Sequence, residues 1–196
     1  MEQRALSVEA VPDSIEAIRK ALSDKNLYGF QVSNEVRNRR MELLERFLAL
    51  APTDRQAERH FRQLFDDYMG TRQFQRGKAL LERMRGPLEF TQWELNSRLA
   101  TLASLRGKGA EARRLMSQTA NDPGAPENRR ARARFDIAHS YQQAGDYARA
   151  IRLYQVLIRS YPDPPPAAVK DSVGGAKAMI ARIRRWQKQA QKRSGK

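Results

Sequence analysis

The stretch that decides the fold is residues 131–164, ARARFDIAHSYQQAGDYARAIRLYQVLIRSYPDP. Its apolar residues recur at helical spacing in two blocks that are separated by a short break. They are Ile137, Ala138 and Tyr141 in the first block and Ala150, Ile151, Tyr154, Leu157 and Ile158 in the second. Gly145 lies in the break, where glycine can adopt the left-handed conformation that ends a helix, and Pro162 stops the second block. The stretch therefore predicts two short helices joined by a tight turn.

This pattern resembles a tetratricopeptide (TPR) repeat, a helix–turn–helix unit of about 34 residues. Eight residues fall at signature positions of that family: Ile137, Ala138, Tyr141, Gly145, Tyr147, Ala150, Tyr154 and Pro162. The large aromatic residue expected early in the first helix is displaced by one position, at Phe135. Because one repeat cannot bury its own apolar face, the resemblance implies that neighbouring repeats stack on it.

Two earlier segments resemble the same unit. The small residues at the matching position of the second helix are Gly77, Ala112 and Ala150, at intervals of 35 and 38 residues. The longer interval contains the turn formers of residues 121–128, NDPGAPEN, where a longer loop absorbs the extra residues. A turn glycine is present at Gly107, whereas Arg72 stands in its place in the first of the three units.

The predicted fold class is therefore all-α, an α-solenoid of antiparallel helix pairs. The predicted segments are a divergent N-terminal helical cap at 1–57, three TPR-like repeats in 58–164 (at 58–91, 93–126 and 131–164), and a C-terminal capping helix with a basic tail at 167–196. The pair Gly174 and Gly175 predicts a weakened or kinked capping helix, because each glycine costs about 1 kcal/mol relative to alanine.

The residue types argue against catalysis. The chain has no cysteine, which excludes disulfides, thiolate catalysis and cysteine-ligated metals. Its two histidines, His60 and His139, are far apart in sequence, and no glycine-rich phosphate loop or serine nucleophile elbow is present. We predict that the protein is not an enzyme and uses no cofactor and no metal.

The hydropathy of the chain bears on its location. No apolar run approaches the roughly 20 residues that span a bilayer, so no transmembrane segment is predicted. The first residues, MEQRALSVEAVPDS, include acids and lack an apolar signal core, which predicts a cytoplasmic protein. The bacterial periplasm is the alternative if a signal peptide has been removed.

The resemblance implies a binding groove lined by the first helix of each repeat. Carried onto this sequence, its members are Arg59, Arg62, Asp66, Arg98, Thr101, Arg132, Phe135, His139 and Gln142. Arginine makes bidentate hydrogen bonds to carboxylates, so such a groove favours an acidic segment of a protein partner. The competing interpretation is that these arginines are ordinary solvated residues.

The C-terminal end is a second candidate site. The formal net charge is +15, and from Lys177 to the end the chain contains eight basic residues and no acid. The candidate residues of this basic tail are Arg184, Arg185, Trp186, Lys188, Lys192 and Arg193. They predict contact with nucleic acid or an anionic membrane, with Trp186 able to stack or insert. Alternatively, the tail is a solvated helix end and Trp186 covers the last repeat.

Three functional hypotheses follow, in this order. The first is a non-enzymatic scaffold or adaptor that binds a protein partner in the groove. The second is a nucleic-acid or ribonucleoprotein binder that uses the basic tail, for which the net charge of +15 is the main argument. The third is self-association through the end helices.

Overall fold

A computed structural model describes Pro12 and residues 14–28 and 33–194, with side chains described as far as Lys192. This part of the chain contains α-helices and two short 3-10 turns, Lys25–Leu27 and Ala167–Val169, and no strand. The helices are α1 (Ile15–Leu22), α2 (Asn34–Leu50), α3 (Ala57–Gly70), α4 (Phe74–Met84), α5 (Gln92–Leu105), α6 (Gly109–Asn121), α7 (Glu127–Gln143), α8 (Tyr147–Arg159) and α9 (Lys170–Ser194).

The chain divides into two compact units, Met1–Phe90 and Thr91–Lys196. The predicted repeat block 58–164 extends over both units. Its three helix pairs are α3 with α4, α5 with α6, and α7 with α8. The repeat boundaries at 58–91, 93–126 and 131–164 stay predictions.

The first unit is built on the apolar faces of α1 to α4. Its largest fully buried side chains are those of Ile18, Leu43, Leu44, Phe47, Leu48, Phe61, Leu64, Tyr68 and Met84. Capping residues set the helix starts: the Ser14 hydroxyl accepts a hydrogen bond from the Ala17 amide at 3.2 Å, and the Ser33 hydroxyl accepts one from Val36 at 3.3 Å.

A buried ion pair joins α2 to α3 inside this core. Arg40 Nε donates to Asp67 Oδ2 at 3.0 Å and Arg40 Nη2 donates to Asp67 Oδ1 at 2.5 Å. Arg40 Nη1 also donates to the carbonyl of Leu27 at 2.7 Å. One guanidinium therefore ties the 3-10 turn Lys25–Leu27 to both helices.

The second unit stacks α5 to α9. Small residues of α7, α8 and α9 meet in its larger core: Ala131, Ala138, Ala150 and Ala176, all buried, surround Tyr154 and Leu157. α5 begins with a capping box, in which the Thr91 amide donates to Glu94 Oε2 at 2.9 Å. The turns after α5 and α7 contain Gly107 (φ 75°) and Gly145 (φ 81°), as the sequence predicts.

The turn between α3 and α4 has the same left-handed conformation without a glycine. Arg72 adopts φ 59°, and its amide donates to the carbonyl of Met69 at 3.2 Å. The amide of Gln73 donates across the same turn to the carbonyl of Tyr68 at 2.8 Å. An L-residue adopts this conformation at a cost of about 1 kcal/mol.

α9 runs through Gly174 and Gly175 as one continuous helix, and the predicted weakening or kink at the pair stays a prediction. The two glycines have different surroundings. A Cβ at Gly175 would lie 3.0 Å from Cε2 of Phe135 on α7, whereas a Cβ at Gly174 would meet nothing within 4 Å. Gly175 therefore lets α9 approach the Phe135 ring closely, which stabilises the helix by packing.

Candidate functional site

Three of the predicted groove residues, Arg59, Arg62 and Asp66, lie on α3 of the first unit. Their spacing of three and four residues puts them on one helix face, and all three are exposed. Arg62 is engaged by the carboxylate of Glu58, one turn earlier, to which its Nε donates at 3.1 Å. Arg59 makes no ion pair within the described part of the chain.

Arg59 lines a cleft of about 520 Å³ between α1, the 3-10 turn Lys25–Leu27 and the start of α3. The neighbouring His60 is buried, and its ring lies edge-on to Phe47 with the ring centroids 4.5 Å apart. Burial and then the positive charge of Arg59 lower the pKa of His60, against an opposing contribution from Asp54. His60 is therefore uncharged at neutral pH.

The other predicted groove residues belong to the second unit. On α5, Arg98 is half-buried, and the exposed Thr101 hydroxyl donates to the carbonyl of Ser97 at 3.1 Å. On α7, Arg132 Nε donates to the Asp136 carboxylate at 3.0 Å, and the Arg132 guanidinium lies 5.5 Å from the Phe135 ring centroid. Arg132 remains largely exposed, with 64% of its side-chain surface open to solvent.

The remaining α7 candidates form a polar network that reaches into the core. The Tyr154 hydroxyl donates to Gln142 Oε1 at 3.1 Å and lies 3.4 Å from Nδ1 of His139. Burial, with a smaller contribution from the charge of Asp136, raises the pKa of Tyr154 to about 12. Burial also raises the pKa of Asp136, although Arg132 opposes it.

The structure thus brings the α7 candidates together, but exposes them unequally. Gln142 is only 9% exposed and its side-chain oxygen is used by Tyr154. Phe135 is half-buried against Tyr154, with ring centroids 5.4 Å apart, and lies under Gly175 of α9. Arg132 is therefore the α7 candidate with the most surface open to a ligand.

An aromatic contact that the sequence analysis did not predict joins α6, α7 and α8. The guanidinium carbons of Arg113 and Arg149 lie 4.5 Å and 4.2 Å from the ring centroid of Tyr141. Arg113 Nη1 also donates to the Ser140 hydroxyl at 3.1 Å. Tyr141 is a repeat signature residue, but nothing in the spacing of the sequence marks these two arginines as its neighbours.

The basic tail is an exposed continuation of α9. Ile183 is the last buried residue of that helix, and the predicted residues Arg184, Arg185, Trp186, Lys188 and Lys192 are all exposed. The side chain of Arg193 lies outside the described residues. Trp186 is 43% exposed, and Arg182 lies 4.7 Å from its ring centroid. The Trp186 ring is therefore partly open to solvent and lies beside a cation of its own helix.

The two units differ sharply in charge. Residues 91–196 contain 21 Lys and Arg against eight Asp and Glu, a formal net charge of +13. Residues 1–90 contain 16 against 14, a net charge of +2. Nearly all of the excess positive charge therefore belongs to the second unit.

Comparison with solved structures assigns the fold. The chain is similar to a Podosopora anserina protein assigned as a kinesin light chain, with nearly identical TPR-like repeats, at a TM-score of 0.53 and 18% identity. The match covers 91% of this chain and 87% of that one. The fold is TPR-like. A variant of the same Podosopora protein matches with a TM-score of 0.54 at 18% identity, over 91% of this chain and 86% of that one.

The TPR-like fold confirms the predicted all-α solenoid of helix pairs. No protein-family model matches the sequence, and comparison with curated proteins likewise finds no match.

Two features are absent from the described residues. None of the helices there combines the length and the apolar character needed to cross a membrane. Those residues likewise contain no group of three or more His, Asp or Glu side chains placed to hold a metal ion.

Proposed function

We propose that the chain is a non-enzymatic TPR-like scaffold that binds an acidic segment of a protein partner. The observation that carries this proposal is the net charge of +13 on residues 91–196. Many of these cations, including Arg106, Arg114, Arg152 and Arg159, are exposed and have no carboxylate partner in the described part of the chain. Such a surface attracts acidic ligands and steers their association.

Within the second unit, the most suitable anchor is Arg132. It binds Asp136 through Nε, which leaves its two Nη groups for a second carboxylate. A guanidinium presents five N–H donors in a planar fork, so one arginine can serve an internal and an external carboxylate together. Arg98 and Thr101 on α5 complete the proposed surface of this unit. Arg59, Arg62 and Asp66 on α3 form a separate proposed surface of the first unit.

A labelled oligoglutamate peptide tests this proposal by fluorescence anisotropy. We expect the double variant Arg98→Gln, Arg132→Gln to bind the peptide about tenfold more weakly, because charge-assisted hydrogen bonds are lost. The matched control is Arg114→Gln, Arg152→Gln, which removes the same charge from exposed positions of α6 and α8. If both double variants weaken peptide binding equally, charge alone attracts the peptide, and the groove is not its binding site.

The alternative function, binding to nucleic acid through the basic tail, has its own supporting observation. Trp186 is exposed beside Arg182, and the cations Arg184, Arg185 and Lys188 that flank it have no carboxylate partner among the described residues. Exposed aromatic rings next to cations stack with the bases of single strands. The same tail chemistry also suits an anionic membrane.

A chain that ends at Ile183 separates the two functions, because it keeps every buried residue of α9. If the tail binds nucleic acid, the shortened chain should bind a single-stranded oligonucleotide more weakly and with a shallower salt dependence. Its affinity for the oligoglutamate peptide should stay the same if the groove is the binding site. Sedimentation of the same samples measures self-association, the third hypothesis.

A further inference from the structure

The cleft of the first unit is a further candidate binding site, which goes beyond the proposed function and shares only Arg59 with the proposed peptide-binding residues. It holds about 520 Å³, within the range of about 300–1,000 Å³ that is common for small-molecule sites. Its walls come from α1, the 3-10 turn Lys25–Leu27 and the first turn of α3. Its lining residues include Arg19, Leu22, Lys25, Tyr28, Arg59 and His60.

The charges of this cleft are unbalanced. Among the described residues, its lining includes three cations and no carboxylate. Arg19 is neutralised by Asp54, to which its Nη2 donates at 2.5 Å. Lys25 and Arg59 have no ion pair among the described residues, so two positive charges from different elements line one cleft.

The neighbouring carboxylates of Asp24 and Glu58 already have partners within the chain. Asp24 accepts a hydrogen bond from the Asn26 amide at 2.9 Å, which caps the 3-10 turn. Glu58 pairs with Arg62, one turn further along α3. Lys25 and Arg59 therefore lack an internal counter-ion in the described structure, and an anion from outside would supply one.

The wall opposite α3 is held in place by the buried ion pair. Arg40, fixed by Asp67, donates to the Leu27 carbonyl at 2.7 Å, and its guanidinium carbon lies 5.5 Å from the Tyr28 ring centroid. Leu22, which also lines the cleft, is 7% exposed, and Leu27 is buried. The cleft therefore combines a fixed aromatic and aliphatic wall with two cations.

We propose that this cleft binds a small organic anion, a planar ring that carries a phosphate or carboxylate group. Lys25 and Arg59 bind the anionic group, and the ring lies against Tyr28 and Leu22. Charge-assisted hydrogen bonds from two cations supply the affinity for the anion, and the apolar wall selects ligands with a ring over bare inorganic ions.

The test uses the full chain and four probes of related structure: phenyl phosphate, benzoate, inorganic phosphate and phenol. The ring signals of Tyr28 and His60, both in the cleft lining, are followed by NMR during each titration. We expect phenyl phosphate or benzoate to shift these signals at lower concentration than inorganic phosphate or phenol. The tighter of the two aryl anions identifies the preferred anionic group.

Two variants and one control test which residues bind the anion. Arg59→Gln and Lys25→Gln should each weaken binding of the aryl anion about tenfold. Arg62→Gln is the control, because Arg62 is on the same helix but pairs with Glu58 and does not line the cleft. Circular dichroism checks that the variants stay folded.

Three outcomes would overturn the proposal. The first is that neither aryl anion moves the Tyr28 and His60 signals. The second is that inorganic phosphate binds as tightly as phenyl phosphate. The third is that Arg62→Gln weakens binding as much as Arg59→Gln, since that would reduce the effect to general surface charge. Lys25→Gln keeps the test decisive if Arg59→Gln does not fold.

Discussion

The Phe135 ring on α7 occupies the space in which a side chain at Gly175 of α9 would begin, with Cε2 3.0 Å from the ideal Cβ position. The adjacent Gly174 has no atom within 4 Å of its own ideal Cβ position. Two consecutive glycines of one helix thus meet opposite environments, which makes them a matched pair for experiment.

Replacing these glycines by alanine should have opposite consequences. Gly174→Ala should raise the free energy of unfolding by up to about 1 kcal/mol, because alanine is the better helix former. Gly175→Ala gains the same propensity but forces the Phe135 ring to shift, so we expect it to be less stable than Gly174→Ala by about 1–2 kcal/mol. Urea denaturation measures both.

A double-mutant cycle with Phe135→Leu checks the cause. If the ring is responsible, Gly175→Ala should destabilise the protein less when Phe135 is replaced by leucine. The effect of Gly174→Ala on the free energy of unfolding should stay the same. Equal effects of the two alanine variants in the wild-type background would contradict the close approach.

The left-handed conformation of Arg72 predicts a stabilising substitution. Arg72→Gly should raise the free energy of unfolding of the first unit by about 0.5–1 kcal/mol, because glycine adopts φ 59° without strain. The comparison variants are Gly107→Ala and Gly145→Ala, whose φ values of 75° and 81° should make them destabilising. Thermal melting orders the three, and a loss of stability in Arg72→Gly would refute the prediction.

The buried Arg40–Asp67 pair predicts a strong and asymmetric effect. Asp67→Asn should destabilise the first unit by about 3–5 kcal/mol, because it leaves the Arg40 guanidinium buried without a counter-charge. Replacing both residues by apolar ones should cost much less in stability. That double variant should nevertheless loosen the 3-10 turn Lys25–Leu27, because the hydrogen bond from Arg40 to the Leu27 carbonyl is lost. Hydrogen exchange of the Tyr28 amide, which donates to the carbonyl of Lys25, measures this loosening.

His60 predicts a pH dependence of stability. Burial and Arg59 lower its pKa below the usual value of 6.5, so the unfolded chain takes up a proton on His60 before the folded chain does. Its contribution to stability is present above pH 6.5 and is lost as the pH falls towards the lowered pKa. Between about pH 7 and about pH 5.5, His60→Gln should lose less stability than the wild type, as urea denaturation at both pH values would show.

The periodicity of the sequence was sufficient to predict the helices, because apolar stripes and turn glycines reflect local structure directly. The turns at Gly107 and Gly145 were predicted from residue type, and both have positive φ. Arg72 stands at the glycine position of the first repeat, but its residue type did not predict that conformation, because arginine has no local preference for positive φ. The pair Gly174 and Gly175 predicted only a weakened or kinked helix, because the Phe135 ring that Gly175 contacts is 40 residues away in sequence.

The candidate sites were predictable only as helix faces. Spacing places Arg59, Arg62 and Asp66 together, but it says nothing of the Glu58 carboxylate that pairs with Arg62. The cleft combines residues from α1, a 3-10 turn and α3, and no motif joins them in the sequence. Gln142 is buried and accepts a hydrogen bond from Tyr154 of α8, and this too is a tertiary effect that spacing does not predict.

Beyond Ile183, α9 repeats a cation at every fourth residue, at Arg184, Lys188 and Lys192. Successive members of this row are about 6 Å apart along the helix axis. Like charges at this spacing weaken a helix by a few tenths of a kcal/mol per pair. An anion that neutralises the row, or a rise in ionic strength, removes that repulsion. The helix content of residues 184–194 should therefore rise when anions bind the tail or when the ionic strength increases. Circular dichroism of this segment would then report anion binding directly.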